Sequence, residues 1–305
     1  MLWRRILLGA VIAVFILSGF FEAEPEIQQT RAPYEADPLY VNAAGIPETS
    51  AAAADVEIIA RRGANNIFNE HTLTAYEIAA DAEVDSLEID LRMTKDHELI
   101  ALHDAALDRT TTGTGPPESR TLEEIKQLNT VAVFGEETYT EPVPALEEIF
   151  AKFEQKEHYY IETRLVDGDT KMEEPFIDLL QEHDLLNPEY VSFQSFSKRS
   201  LQKMQELAPE IRTTLLYNAN KFNLKDALAA DADVIGLESR NVTRDNVDAL
   251  HQQGKEVHVF FTDEKTQLAE QQRVIAYGVD GVFTDDIDFT KQVVNNAAQV
   301  LLHSR

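Results

Sequence analysis

From Val56 onward short apolar runs alternate with longer amphipathic stretches, the texture that repeated strand–helix units leave in a chain. Apolar or alternating runs predict strands at Val56–Ala60, Ser86–Leu91, Leu99–His103, Tyr159–Arg164, Tyr190–Gln194, Arg212–Leu216, Val234–Leu237 and Glu256–Phe261. Helical spacing of apolar positions predicts helices over Thr72–Ala82, Lys171–His183, Lys198–Leu207, Arg244–Gln253 and Thr266–Tyr277. Eight strands joined by helical crossovers predict an α/β chain closed into a parallel (β/α)8 TIM barrel. Gly281–Thr284 also reads as a strand, and the Leu91–Leu99 connection is too short for a helix, so there are nine candidates for eight places. No internal repeat is visible, and the only low-complexity tract is Ala51–Ala54.

Upstream of the barrel the pattern changes twice. Met1–Arg5 carries Arg4 and Arg5, and the run from Ile6 to Phe21 is apolar or small throughout, ending at Glu22. Such a start is membrane-directed. The run falls between a signal-peptide core and the ~20 residues that span a bilayer comfortably, so a retained signal anchor and a cleaved signal peptide both fit. No small-x-small cleavage site follows, which favours the anchor. Leu17-Ser18-Gly19 resembles a lipoprotein box, but Phe20 stands where the lipid-bearing cysteine belongs. Residues 22–55 are acidic and Ala-rich, hold Pro25, Pro33, Pro38 and Pro47, and read as a flexible tether. The expected organisation is therefore 1–21 signal-anchor or signal peptide, 22–55 tether and 56–305 barrel. With Arg4 and Arg5 inside, the barrel is expected to be extracytoplasmic, anchored to the membrane or, after cleavage, secreted.

Composition narrows the partners. Lys and Arg number 27 against 54 Asp and Glu, a formal charge of −27. The averaged field repels polyanions, so nucleic acid is excluded as a partner. The same acidity also serves solubility in a salt-adapted organism and says nothing about chemistry. The absence of cysteine removes disulfides, zinc-thiolate sites and cysteine nucleophiles. No feature points to a protein partner.

Candidate chemistry lies on the predicted strands. Glu88-Ile89-Asp90 sits on one, and the two-residue period puts both carboxylates on one face. Adjacent carboxylates repel, so the pair is stable chiefly around a cation or with one acid protonated. An isolated Glu-x-Asp is also what an ordinary solvent-facing strand presents. Tyr160, Glu162 and Arg164 form a second same-face set, for which a plain Glu162–Arg164 ion pair is the simpler reading. His103-Asp104 ends a third strand, where barrel enzymes keep their chemistry. Arg61-Arg62-Gly63 ends the first strand and Glu70-His71-Thr72 opens the first helix, whose Thr72 can cap it; two arginines there would bind a phosphate, or be a surface basic pair.

Taken in order, these segments resemble the glycerophosphodiester phosphodiesterase family, particularly its extracytoplasmic bacterial branch, over about residues 56 to 290. The family's His-Arg-Gly corresponds to Arg61-Arg62-Gly63, its Glu-Asn-Thr or Glu-His-Thr to Glu70-His71-Thr72, and its Glu-x-Asp to Glu88-Ile89-Asp90. Thr94-Lys95-Asp96, His103-Asp104, Leu107-Asp108-Arg109-Thr110-Thr111 and Gly113-Thr114-Gly115 follow. Ile161-Glu162-Thr163-Arg164, Ser192-Phe193-Gln194-Ser195-Phe196, Val259-Phe260-Phe261-Thr262, Gly278-Val279-Asp280-Gly281 and Thr284-Asp285 complete the series.

The resemblance implies a barrel of the phospholipase-C-like phosphodiesterase type that hydrolyses small-molecule or polymeric glycerophosphodiesters to glycerol 3-phosphate and an alcohol. One divalent cation, Ca²⁺ or Mg²⁺, would be held by Glu88, Asp90 and Glu162. Arg62, Glu70 and Arg164 would serve the substrate, with Glu70 orienting the Arg61/Arg62 loop or completing the metal's shell, and His103 would protonate the leaving alkoxide. The family's first catalytic histidine is here Arg61. Arginine cannot act as a general base near neutral pH, so the alternative expectation is an impaired member that binds glycerophosphate or an anionic surface polymer.

Overall fold

The computed structural model describes residues 56–134, 137–263 and 265–303. The expected N-terminal apolar segment and tether lie outside the described residues, among which no helix is long and apolar enough to cross a membrane. The strands are β1 (Glu57–Ala60), β2 (Ser86–Met93), β3 (Leu99–Ala101), β4 (Asn129–Phe134), β5 (Glu137–Pro142), β6 (Tyr159–Glu162), β7 (Val191–Ser195), β8 (Thr213–Tyr217), β9 (Val234–Glu238), β10 (Glu256–Phe260) and β11 (Gly281–Thr284). The helices are α1 (Leu73–Asp81), α2 (Leu122–Ile125), α3 (Leu146–Phe153), α4 (Glu173–Glu182), α5 (Lys198–Leu207), α6 (Leu224–Leu228), α7 (Arg244–His251), α8 (Gln267–Ala276) and α9 (Ile287–His303).

Neighbouring strands run β1-β11-β10-β9-β8-β7-β6-β2, and β2 pairs back onto β1 through Ile59↔Ser86 and Ala60↔Leu87. All these pairings are parallel, which closes the expected barrel. The ninth candidate resolves as a correction: Leu99–His103 is not a barrel strand. Its Leu99–Ala101 pairs antiparallel with Leu91–Met93 at the far end of β2, and Gly281–Thr284 takes the eighth place. The reason is length. A turn in which Thr94 accepts from Glu98 N at 3.0 Å reverses the chain at once, whereas a parallel neighbour needs a crossover of a dozen residues or more. β4 and β5 form a separate hairpin, Asn129↔Pro142 to Phe134↔Glu137.

β2 shows how sequence sets side-chain direction. Leu87, Ile89 and Leu91 are fully buried and pack in one cluster with Tyr76 and Ala79 of α1, Ile149 and Phe150 of α3, and Tyr159 and Ile161 of β6. That apolar face is held outward against helices, so Glu88 and Asp90 must point into the barrel. By the same alternation Tyr160 and Glu162 of β6 face inward, and Tyr160 packs with Ile59 and Phe283 in the interior. Towards the strands' N-terminal ends, buried His258 meets Tyr160 Oη through Nδ1 at 3.1 Å and Arg212 Nη2 through Nε2 at 2.9 Å. Arg212 pairs in turn with Glu57 at 3.0 Å and with Glu256. This charged layer closes one end of the barrel and leaves the C-terminal ends for chemistry.

The loop after β1 depends on one glycine. Gly63 has φ +81°, and a Cβ there would lie 2.7 Å from the carbonyl carbon of Ala75 in α1. Gly115 has a comparable φ of +80° but open space around it. A left-handed L-residue costs roughly 1–2 kcal/mol, and forced overpacking adds about 1–3 kcal/mol. Gly63→Ala should therefore lower unfolding free energy in urea clearly more than Gly115→Ala; equal losses would show that α1 does not press on the loop.

Candidate active site

Two residues in left-handed conformation shape the mouth, Arg62 at φ 58° and His71 at φ 56°. Each costs roughly 1–2 kcal/mol of strain, and each is pinned by hydrogen bonds. His71 N donates to Arg62 O at 3.0 Å, and Arg62 N donates to Glu88 Oε2 at 2.8 Å. The twist turns the Arg62 side chain inward, where it is nearly buried. Its Nη1 donates to Glu70 Oε1 at 3.0 Å. Arg109 grips Glu70 with Nη1 at 2.7 Å and Nη2 at 2.8 Å, then grips Asp104 through Nε at 2.7 Å and Nη2 at 2.9 Å. Burial would raise the Glu70 carboxyl, but Arg109 and Arg62 overcome this and lower it to about 2. Asp104 Oδ1 lies 2.7 Å from His103 Nδ1.

The deep wall is carboxylic. Glu88, Asp90 and Glu162 are all buried. Asp90 Oδ1 accepts from Arg164 Nη2 at 2.5 Å and Oδ2 lies 2.9 Å from His71 Nε2, while Arg62 Nε approaches Oδ2 at 3.3 Å without hydrogen-bond geometry. Burial alone would raise Asp90; Arg164, His71 and Arg62 hold it well below the usual carboxylate range. Glu88 and Glu162 go the other way. Burial, then Asp90, raises Glu88 well above its ordinary value. Burial raises Glu162 to about 8 despite the Arg164 Nε contact at 2.8 Å. Gln194 Nε2 donates to Glu88 Oε1 at 3.3 Å, and its buried Oε1 has no partner. Three inward carboxyls, two of them reluctant to ionise, beside an unpartnered carbonyl oxygen are a donor set that a hard divalent cation fits. Glu88, Asp90 and His71 also place ligand atoms within 4.8 Å of one another.

These groups open on a cavity of about 280 Å³ lined on its polar side by Arg61, Arg62, Glu88, Asp90, His103, Glu162 and Gln194. Phe196, Leu216, Phe260 and Phe283 line the other side. Glu70 and Arg164 stand behind the polar wall: Arg164 engages Asp90, Glu162 and, through Nη1 at 3.0 Å, the backbone carbonyl of His103. Arg61 is held by Asp285 at 3.1 Å, which also accepts from Asn65 Nδ2 at 2.6 Å. Burial pushes His103 down to about 4 against the opposing pull of Asp90, so its ring is neutral at neutral pH. Asp104, held low by Arg109, can only accept, which places the ring proton on Nδ1 and leaves Nε2 free.

Sequence reading named the polar residues but assigned no role to Arg109, Gln194 or Asp285, although each lies in a motif quoted above. Of the aromatic wall, Phe196 and Phe260 lie in motifs of the resemblance and Phe283 in a predicted strand, but none was given a role. Phe196 is the one large exposed hydrophobic side chain among the described residues.

Comparison with known proteins identifies the family. Residues 62–289 match the model of the glycerophosphoryl diester phosphodiesterase family, and the chain belongs to that family. It is 36% identical over 253 residues to a glycerophosphodiester phosphodiesterase of Bacillus subtilis, covering 77% of this chain and 85% of that protein. Another, from Caldanaerobacter subterraneus, is 31% identical over 233 residues, 75% of this chain and 93% of that one. Among solved structures, a glycerophosphodiester phosphodiesterase from Agrobacterium tumefaciens aligns at TM-score 0.65 and 25% identity, covering 78% of this chain and 99% of that one. A phosphodiesterase from Oleispira antarctica in complex with the product sn-glycerol-3-phosphate aligns at TM-score 0.67 and 23% identity, covering 78% and 96%.

The Glu162 shift carries a stability prediction for metal-free protein. A carboxyl near 4.5 unfolded and about 8 folded stabilises the native state fully below the lower value and loses that contribution as pH rises through the higher one. Glu162→Gln should therefore flatten the fall in thermal midpoint between those values. An unchanged pH slope would show that Glu162 ionises freely in the fold.

Proposed function

We propose that this chain hydrolyses glycerophosphodiesters to glycerol 3-phosphate and an alcohol with the help of one divalent cation. The observation that supports this reading most is the opening of Glu88, Asp90 and Glu162 onto the same cavity as Arg62 and the free Nε2 of His103. The product complex of the Oleispira antarctica relative supports the choice of substrate. Glu88, Asp90 and Glu162 would hold the cation, and oxygen donors favour Ca²⁺ or Mg²⁺. When bound, it supplies Lewis-acid polarisation of a phosphoryl oxygen.

The remaining work falls to the chain. Arg62, aimed by Glu70, binds the phosphate; Arg61, steadied by Asp285, adds a second positive charge at the cavity but moves no proton. His103 starts neutral, so Nε2 first accepts a proton of the attacking water, and the imidazolium then protonates the leaving alkoxide. The phenylalanine wall excludes water and receives carbon-bound faces of the substrate. We place the reaction outside the cytoplasm on the strength of Arg4, Arg5 and the apolar run 6–21.

The protein should release glycerol 3-phosphate from glycerophosphoglycerol, stop when chelated and resume with Ca²⁺ or Mg²⁺. His103→Asn should lower kcat by ~10²–10⁴ with little change in KM. Tight binding of glycerophosphate with no turnover at any pH would replace hydrolysis with the impaired, ligand-binding reading that Arg61 raises.

A further inference from the structure

His71 is wholly buried and belongs to no step above. Its imidazole bridges two buried groups: Nε2 lies 2.9 Å from Asp90 Oδ2, and Nδ1 lies 2.6 Å from the hydroxyl of Tyr76 in α1. We propose that His71 is a positioning residue rather than a metal ligand, held by Tyr76 as the Nε2–H tautomer so that it donates to Asp90 and fixes that carboxylate's orientation at the cation site.

The tautomer follows from what each neighbour can do. An ionised Asp90 only accepts, so the proton between it and Nε2 belongs to the ring. A second ring proton would make His71 a cation, yet Asp90 already faces two guanidinium groups, Arg164 at 2.5 Å and Arg62 at 3.3 Å. The fully buried Tyr76 hydroxyl has Nδ1 as its one hydrogen-bond partner among the described residues, so its own proton must point there and no ring proton fits on that nitrogen. Nδ1 is therefore the lone-pair nitrogen, and the Tyr76 hydroxyl donates to it.

Backbone conformation points the same way. His71 sits at φ 56°, a region tolerated by His and Asn but uncommon for other side chains. Its N–H is tied to Arg62 O at 3.0 Å, and the next residue, Thr72, caps α1 by accepting from Ala75 N at 3.1 Å. Tyr76 lies on that capped helix and is fully buried among Phe153 and the outer face of β2. The relay thus links the rigid start of α1 to one carboxylate of the site, as partners behind metal ligands do when they set ligand orientation. Ligation by Nε2 would instead require it to shed the proton that it donates to Asp90.

This inference rests on the proposed cation site, but its first test does not need the cation. In nitrogen-15-histidine-labelled full-length protein, the His71 ring, assigned by its loss in His71→Asn, should show a protonated Nε2 and a bare Nδ1 without metal. The same pattern should persist after Ca²⁺ or Mg²⁺ is added. A protonated Nδ1, a doubly protonated ring, or loss of the Nε2 proton on metal addition overturns the proposal. Calorimetric titration with the metal alone supplies the second readout. Tyr76→Phe should weaken binding by ~10–100-fold, and His71→Gln, which carries an amide donor near the Nε2 position, should bind more tightly than His71→Asn. Wild-type affinity in Tyr76→Phe contradicts the relay. If the wild-type protein binds no metal, the cation reading fails and the tautomer still decides the relay.

Discussion

The buried negative charge of Asp90 is the constraint on which the rest of the site depends. An isolated carboxylate cannot remain ionised in such a place, and this one does so because Arg164, His71 and Arg62 converge on it. Each arrives from a different part of the chain. Arg164 follows β6, which pairs with β2 at Asp90↔Glu162. His71 precedes α1, and Arg62 follows β1, which closes the barrel against β2. Disturbing Asp90 therefore disturbs barrel closure, the left-handed loop and the seat of Glu88 together. Asp90 also repels Glu88 and Glu162, which leaves a site poised to accept more positive charge than its own arginines provide.

Charge distribution explains how so acidic a chain can take an anionic substrate. A net charge of −27 describes the molecule at a distance. Within the mouth, Arg61, Arg62, Arg109 and Arg164 are concentrated, each held by a carboxylate that is itself anchored to the barrel. The average governs repulsion at a distance, while the clustered arginines set the local field that a phosphate meets. At the opposite end Arg212, Glu57, Glu256 and His258 satisfy one another, so the two ends differ in what they leave unpaired.

What could be read from the sequence was what period and local capping determine. The alternation in Ser86–Leu91 put Glu88 and Asp90 on one face, and Thr72 marked the start of α1 within a residue. The helix over Lys198–Leu207 runs as its spacing predicts. At Leu99–His103 the expected strand forms over Leu99–Ala101 but outside the barrel, because an apolar run shows that a strand exists without showing what it pairs with. Interactions between distant segments were not legible: Glu70 reaches Arg109 across 39 positions and Arg61 reaches Asp285 across 224. The His71–Tyr76 link spans only five positions, yet it depends on a left-handed turn that no periodicity reveals.

The proposed cation site at Glu88, Asp90 and Glu162 is open to direct observation. Diffraction from crystals grown with Mn²⁺, an anomalous scatterer that takes oxygen ligands as Mg²⁺ does, tests it directly. One strong anomalous peak bonded to oxygens of Glu88, Asp90 and Glu162 is expected, with the His71 ring outside bonding distance. No peak in the cavity, or a peak bonded to His71 Nε2, would contradict it.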